Sequence, residues 1–203
     1  NGQKGDGINL SHFLVGSEGT LGFFTKIKLK LSELPSKKVM GICHFPSFYD
    51  SMDTAQHIVK LNPVSVELID DTMLKLAKDI QIFKKTVQDI VVGNPASLLV
   101  VEFAEKSQKE NLNKLNRLEK KIQDLGFDWK NNKKTGGLVK IIDNNDQSRI
   151  TEMRKSGLNI MMSMKTESKP VSFVEDCAVN LEDLAEYTEG LKKIFKKYNV
   201  NGT

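Results

Sequence analysis

From Val39 onward the chain switches repeatedly between short apolar runs and longer stretches whose apolar residues recur every three or four positions. This alternation restricts the folds open to it, because the two patterns bury their side chains on different periods. Runs at 39–45, 64–69, 98–104, 138–142 and 171–179 predict strands, and stretches at 48–61, 71–78, 108–125, 146–162 and 181–198 predict helices. The punctuation fits. Asn62-Pro63 separates a helix from the next strand, since proline cannot continue a helix, and Gly126 stops the stretch before it. Within 108–125, Leu112, Leu115, Leu118, Ile122 and Leu125 form one stripe, which predicts a helix lying on a sheet; it is too short to sustain a coiled coil. Successive β-α-β units of this kind predict an α+β fold, a sheet with helices packed on one face. Periodicity leaves parallel and antiparallel pairing open.

At 203 residues and 39% hydrophobic, the chain has room for one ordinary domain with a proper core and part of another. No apolar run approaches the ~18 residues that a transmembrane helix requires. It begins at Asn1 without an initiator Met or signal peptide and stops directly after a helical pattern, so the expectation is an excised piece. Cys43 and Cys177 form no Cys-x-x-Cys; both read as core residues of a protein kept in a reducing compartment. The net charge is +4, but only Arg117, Arg149 and Arg154 among the 30 basic residues are arginines. Base readout and planar phosphate recognition favour arginine, whereas scattered lysine marks a solvated surface, so no nucleic-acid partner is expected. The lysine-rich loop at 130–137 lacks interleaved aromatics and reads as a connector. His12, His44 and His57 are dispersed without ligand spacing; no metal is expected, and His44, in an apolar strand, reads as a packed side chain.

Ahead of the alternating region lies Val15-Gly16-Ser17-Glu18-Gly19-Thr20-Leu21-Gly22, followed by a run at 23–31 that alternates lysines with apolar residues. The run predicts a half-buried strand. Three glycines at i, i+3 and i+6 allow positive φ and let backbone N–H groups approach a ring or phosphate, although spacing alone fits an ordinary turn as well. It is neither Gly-x-Gly-x-x-Gly opening a helix nor a Gly-Lys-Ser/Thr loop. The pattern breaks at Glu33-Leu34-Pro35, which places a domain boundary between 1–34 and 35–203.

The octapeptide as written resembles a signature of the flavin-dependent oxidoreductases of the vanillyl-alcohol oxidase type, the group that includes D-lactate and glycolate dehydrogenases. Ser163-Met164-Lys165, the run from Lys169 to Val179 and the helix opening Leu181-Glu182-Asp183-Leu184 are similar to the substrate domain of the same family, most of all to large bacterial members with a downstream iron–sulfur region. The resemblance implies that 1–34 is the C-terminal edge of an FAD-binding domain. It implies that 35–203 is a substrate-binding cap, an antiparallel sheet of ferredoxin-like units truncated at its C-terminus. It implies FAD as cofactor of the intact protein, not retained by this piece alone, contacted by Gly16, Ser17, Glu18, Gly19, Thr20, Leu21 and Gly22. The implied reaction is oxidation of a small D-2-hydroxy acid, such as lactate, glycolate or 2-hydroxyglutarate, by hydride transfer to flavin. Electrons would pass to a quinone or an iron–sulfur region in a cytoplasmic protein, free or peripheral on the inner face of a membrane, with a homodimer left open. The competing expectation from another class is a non-catalytic α+β module that binds a ligand or protein.

One cation stands out on its own. With Ile150 at 0° on a helix over 146–162, Met153, Leu158 and Met161 fall at about 300°, 80° and 20°, and Arg154 at about 40° lies inside that stripe. Such an arginine either snorkels, enters a structural ion pair, or receives an anion through its planar fork. The family resemblance, carried by Met153-Arg154-Lys155-Ser156-Gly157, implies the last of these, a clamp on the substrate carboxylate. In the strand expected at 171–179, Glu175 and Asp176 point to opposite faces between apolar neighbours, so the two serve different purposes. One is a candidate partner for Arg154 or a lysine, and both are substrate-site candidates. The side chain of Asn180, with Asp183 three residues on, is expected to cap the next helix. No residue is assigned as catalytic.

Overall fold

The computed structural model describes residues 8–35, 37–130, 135–165, 170–171, 174, 177–200 and 202. The chain divides into two units, Asn1–Leu34 and Pro35–Thr203. In the first, the only described helix is α1 (Leu10–Leu14), whose N-cap Asn9 accepts a hydrogen bond from the Ser11 N–H at 3.0 Å. The strand expected at 23–31 is not formed: Phe23, Ile27, Leu29 and Leu31 are exposed, and no described segment pairs with them. Alternation provides a strand with a face, but the ladder that holds it comes from a neighbour.

The second unit runs β1 (Val39–Phe45), α2 (Phe48–Ile58), a 3₁₀ turn (Val59–Leu61), β2 (Ser65–Asp70), α3 (Asp71–Asp79), α4 (Gln81–Ile90), β3 (Ser97–Phe103), α5 (Gln108–Asp124), β4 (Gly137–Ile141), α6 (Asn144–Lys155), α7 (Gly157–Met162) and α8 (Leu184–Lys197). The four strands form one sheet in the order β2-β3-β1-β4, every neighbouring pair antiparallel, with Ile42 opposite both Val100 and Val139 and Leu68 opposite Leu99. Each half of β1-α2-β2 and β3-α5-β4 leaves a gap that a strand of the other half fills. This is the split β-α-β arrangement of a ferredoxin-like unit.

Starts and stops follow from single residues. Ser47 caps α2 by accepting from Asp50 N–H at 3.0 Å, and Ser107 and Glu110 form a reciprocal capping box at α5. Asn62 takes the left-handed conformation that ends the 3₁₀ turn before Pro63. Helix α4 is an element the periodicity did not mark. It follows α3 through the single extended residue Ile80 and buries Thr86, Val87 and Ile90.

The central strand is buried along its whole length, and its alternation divides the interior into two cores. Val39, Cys43 and Phe45 pack with Leu99, Val101 and Phe103 against α2 and α5, through Ile58, Leu115, Leu118 and Ile122. Met40, Ile42, Leu98 and Val100 face the other way, against Leu74, Val87, Ile90, Ile150, Met153 and Ile160 of α3, α4, α6 and α7. An antiparallel α+β sheet with helices packed on it is therefore present, and a second helical layer, beyond the one anticipated, covers its other face. At Gly41 α5 rests directly on the strand, since a Cβ there would lie 2.6 Å from Leu118 Cδ2.

His44 is buried in this sheet as a packed side chain. Its Nδ1 lies 3.0 Å from the Ile42 carbonyl, its Nε2 accepts from Val92 N–H at 3.2 Å and lies 3.1 Å from the Ile90 carbonyl, and Trp129 meets it edge-on at 5.1 Å. Burial lowers its pKa, opposed by the hydrogen bonds to backbone. The unfolded chain takes up a proton below about pH 6.5, and the buried imidazole takes one up only at lower pH, so folding stability falls as pH drops through that point. The unfolding free energy from urea titrations should be flat in this term above about pH 6.5 and fall below it, by at most about 1.4 kcal/mol per pH unit, with a shallower slope in His44→Gln.

The cysteines part company. Cys43 is fully buried, which pushes its thiol far above the ordinary range, whereas Cys177 is exposed, contrary to the expected pair of core residues. The strand that was to bury it is absent from the described part of 171–179, where Val171 and Val174 are also exposed. Helix α8 begins at Leu184, three residues later than expected, after a turn in which Asp183 N–H donates to the Asn180 carbonyl at 3.0 Å. The Asn180 side chain reaches Asp183 Oδ2 at 3.3 Å, so it does not cap the helix backbone. No helix among the described residues is long and apolar enough to cross a membrane.

Candidate functional site

The glycine loop in the first unit has a defined backbone. Ser17 N–H donates to the Leu14 carbonyl at 3.2 Å, and Thr20 closes a turn by donating its N–H and its hydroxyl to the Ser17 carbonyl, at 2.9 and 2.5 Å. Gly16 and Gly19 sit at φ +79° and +80°, where a side chain would be strained. Glu18 at φ +47° is a non-glycine in the left-handed region, of the kind that collects at ligand-contacting turns. A Cβ at either glycine would meet nothing within 4 Å, so the space before the loop is open. The Glu18 and Gly19 N–H groups donate to no group among the described residues, and Ser17 Oγ is buried without a partner among them. A buried hydroxyl is normally hydrogen-bonded, so this one calls for an acceptor or donor from outside the loop. Open approach, unengaged N–H donors and an orphaned hydroxyl fit the polar edge of a bound cofactor. The structure draws Gly16, Ser17, Glu18, Gly19 and Thr20 into one turn, with Leu21 and Gly22 leading out of it.

In the second unit the expected continuous helix over 146–162 is broken. Asp143 caps α6 by accepting from Asn145 and Asp146 N–H, and at Ser156 (φ −82°, ψ 6°) the helix ends and α7 starts at Gly157. The break rotates α7 relative to α6: Ile160 is buried with Ile150 and Met153, while Leu158, predicted on the inner stripe, is exposed. Arg154 stands in the last turn of α6, about a third exposed, with Nη1 at 3.3 Å from Glu67 Oε2 on β2. That is longer than a charge-assisted hydrogen bond, roughly 2.7–2.9 Å. Arg149, one and a half turns earlier, donates from Nη2 to both Asp89 and Asp146, at 3.0 and 2.5 Å. The two acids raise the Arg149 pKa. Arg154 is thus the less committed guanidinium, half-shielded at the rim of the second core.

Of the residues expected to accompany Arg154, Glu175 and Asp176 lie outside the described residues, as do residues 131–134 of the lysine-rich loop. Glu67 was not singled out from the sequence. The available signal was weak: an acid between Val66 and Leu68 in a predicted strand. Two surface concavities occur elsewhere. One, between 178–180 and α8, is lined by Asp183, Glu186 and Tyr187, where the carboxylates would repel an anionic substrate; the other lies between α3, α4 and the loop at 93–96. Neither contains Arg154. No group of three His, Cys, Asp or Glu side chains that could hold a metal occurs among the described residues.

Residues 34–203 match the family model of the FAD linked oxidases, C-terminal domain. The chain is 30% identical over 204 residues to D-2-hydroxyglutarate dehydrogenase of Haemophilus influenzae, covering 95% of this chain and 19% of that protein. It is 25% identical to the probable mitochondrial D-lactate dehydrogenase of Danio rerio, over 97% of this chain and 36% of the relative. It is also 25% identical to the glycolate oxidase subunit GlcD of Bacillus subtilis, over 96% and 38%. The chain therefore spans about a fifth to two fifths of the length of these relatives. With a split β-α-β sheet beneath a family match that runs from the start of the second unit to Thr203, this chain belongs to the FAD-linked oxidases, as their C-terminal domain.

Proposed function

We propose that the chain is the substrate-binding part, with an edge of the flavin-binding part, of an enzyme that oxidises a small D-2-hydroxy acid. The observation that carries this is Arg154, a partly exposed guanidinium with a single loose ionic contact among the described residues, in a chain whose relatives are named for 2-hydroxy acids. Its planar fork suits a carboxylate, the feature shared by lactate, glycolate and 2-hydroxyglutarate. Bound FAD would supply the hydride acceptor. Residues 16–22 would hold its edge, with Ser17 Oγ and the Glu18 and Gly19 N–H groups as donors to it. Arg154 would fix the acid by its carboxylate, setting the direction in which the carbinol carbon faces. The proposal carries an onward electron acceptor, a quinone or an iron–sulfur region of the intact protein, a cytoplasmic or inner-membrane-surface setting, and room for a homodimer.

The test is anaerobic mixing of the intact flavin-loaded protein with D-lactate, glycolate, D-2-hydroxyglutarate and L-lactate. At least one of the first three should bleach the visible flavin absorption, while L-lactate should not. A flavin left oxidised by all of them would overturn the proposal.

A further inference from the structure

We infer that Glu67 is a positioning residue for substrate binding: it tethers Arg154 by one amino group and leaves the rest of the guanidinium free for the substrate carboxylate. The inference rests on the assignment of Arg154 as the carboxylate receptor. Its geometry begins in the sheet. Glu67 stands opposite Val100 on β3, whose side chain lies in the second core, and Ile69 two positions on is buried in that same core. Alternation therefore aims Glu67 at the face that α6 and α7 cover. Because β2 is an edge strand, the carboxylate emerges at the rim rather than deep inside. There it meets Arg154 at 3.3 Å, the side chains 35% and 37% exposed for arginine and glutamate.

A pair this exposed does little for stability. What it does is restrict a long, rotamer-rich side chain whose five N–H donors would otherwise sweep a wide arc. Arg149 shows the alternative on the same helix: with two carboxylates hydrogen-bonded to it, it is held as a structural group. Arg154 makes no hydrogen bond among the described residues, and its one ionic contact there is long. Such a tether pre-orders the fork without using up its donors.

The test compares Glu67→Gln, Glu67→Ala and Arg149→Ala in the intact flavin-loaded protein, with Glu67→Ala also combined with Arg154→Ala. Releasing Arg154 means it must be ordered again when substrate binds, so Glu67→Ala should raise KM for the hydroxy acid about two- to tenfold. Glu67→Gln, which keeps an acceptor of the same shape, should recover part of that loss, and Arg149→Ala should leave KM alone. In the Arg154→Ala background Glu67→Ala should add nothing, because the two act through one guanidinium. A KM that falls in Glu67→Gln would show that the carboxylate acts by repelling substrate and would overturn the inference. So would additivity with Arg154→Ala, or an equal rise in Arg149→Ala. If Arg154→Ala itself leaves KM unchanged, the assignment of Arg154 fails; if Arg154→Ala raises KM and the Glu67 variants do not, only the role of Glu67 fails.

Discussion

Arg154→Ala in the intact flavin-loaded protein is expected to raise KM for the hydroxy acid about ten- to hundredfold, with flavin content unchanged. Hydrogen bonds to charged groups contribute about 1.5–3 kcal/mol each, and 1.4 kcal/mol corresponds to a factor of ten. The side chain is a third exposed and its one ionic contact among the described residues is loose, so truncation leaves no deeply buried charge behind and the fold should persist. Arg154→Lys keeps the charge but not the planar fork, and should fall between wild type and alanine. Steady-state kinetics beside the flavin spectrum checks this. An unchanged KM would remove Arg154 from the substrate site.

Phe45→Ala should be the most damaging single truncation for stability, at about 3–5 kcal/mol. Phe45 ends β1, is fully buried in the first core and meets Phe127 edge-on, with ring centroids 5.0 Å apart at 79°. The loss combines transfer free energy, a cavity bounded by β1, β3 and the chain after α5, and an aromatic pair. Against the ~5–15 kcal/mol that stabilises an ordinary domain, this is a large share. Phe23→Ala, at a side chain 91% exposed, should change stability by no more than about 0.5 kcal/mol. Urea unfolding of the two variants, followed by circular dichroism, gives the comparison; similar midpoints would contradict the packing of Phe45 in the first core.

Legibility in the sequence varied with how local the deciding interactions are. The strand at 39–45 coincides with β1 because a short, mostly apolar run flanked by lysines and proline has few other uses, and α5 follows its leucine stripe to within a residue. The break at Ser156 was not visible, since the stripe continues in phase across it; the structure instead starts α7 at Gly157 and buries Ile160. Similarly, the alternation at 23–31 is a sound strand pattern, yet no described segment supplies its ladder. Among candidate site residues, Arg154 was legible as a cation on an apolar face. Glu67 was not, because its role depends on β2 and α6 meeting across the sheet. The glycine loop was legible as a motif, whereas the orphaned Ser17 hydroxyl became visible only with the turn built around it.

The sequence by itself determined the material of the fold: the apolar periods, the caps and breakers, a glycine loop able to take positive φ, and one arginine out of place on an apolar stripe. Backbone sterics and side-chain spacing act over a few residues, so these features are set by neighbours in the chain. Only the tertiary structure decided that β3 and β4 flank β1, that both faces of the sheet are covered, and that, among the described residues, Arg154 meets one loose carboxylate while Arg149 meets two. Those outcomes depend on contacts between segments distant in sequence, where pairing and burial are settled by the packing of the whole core.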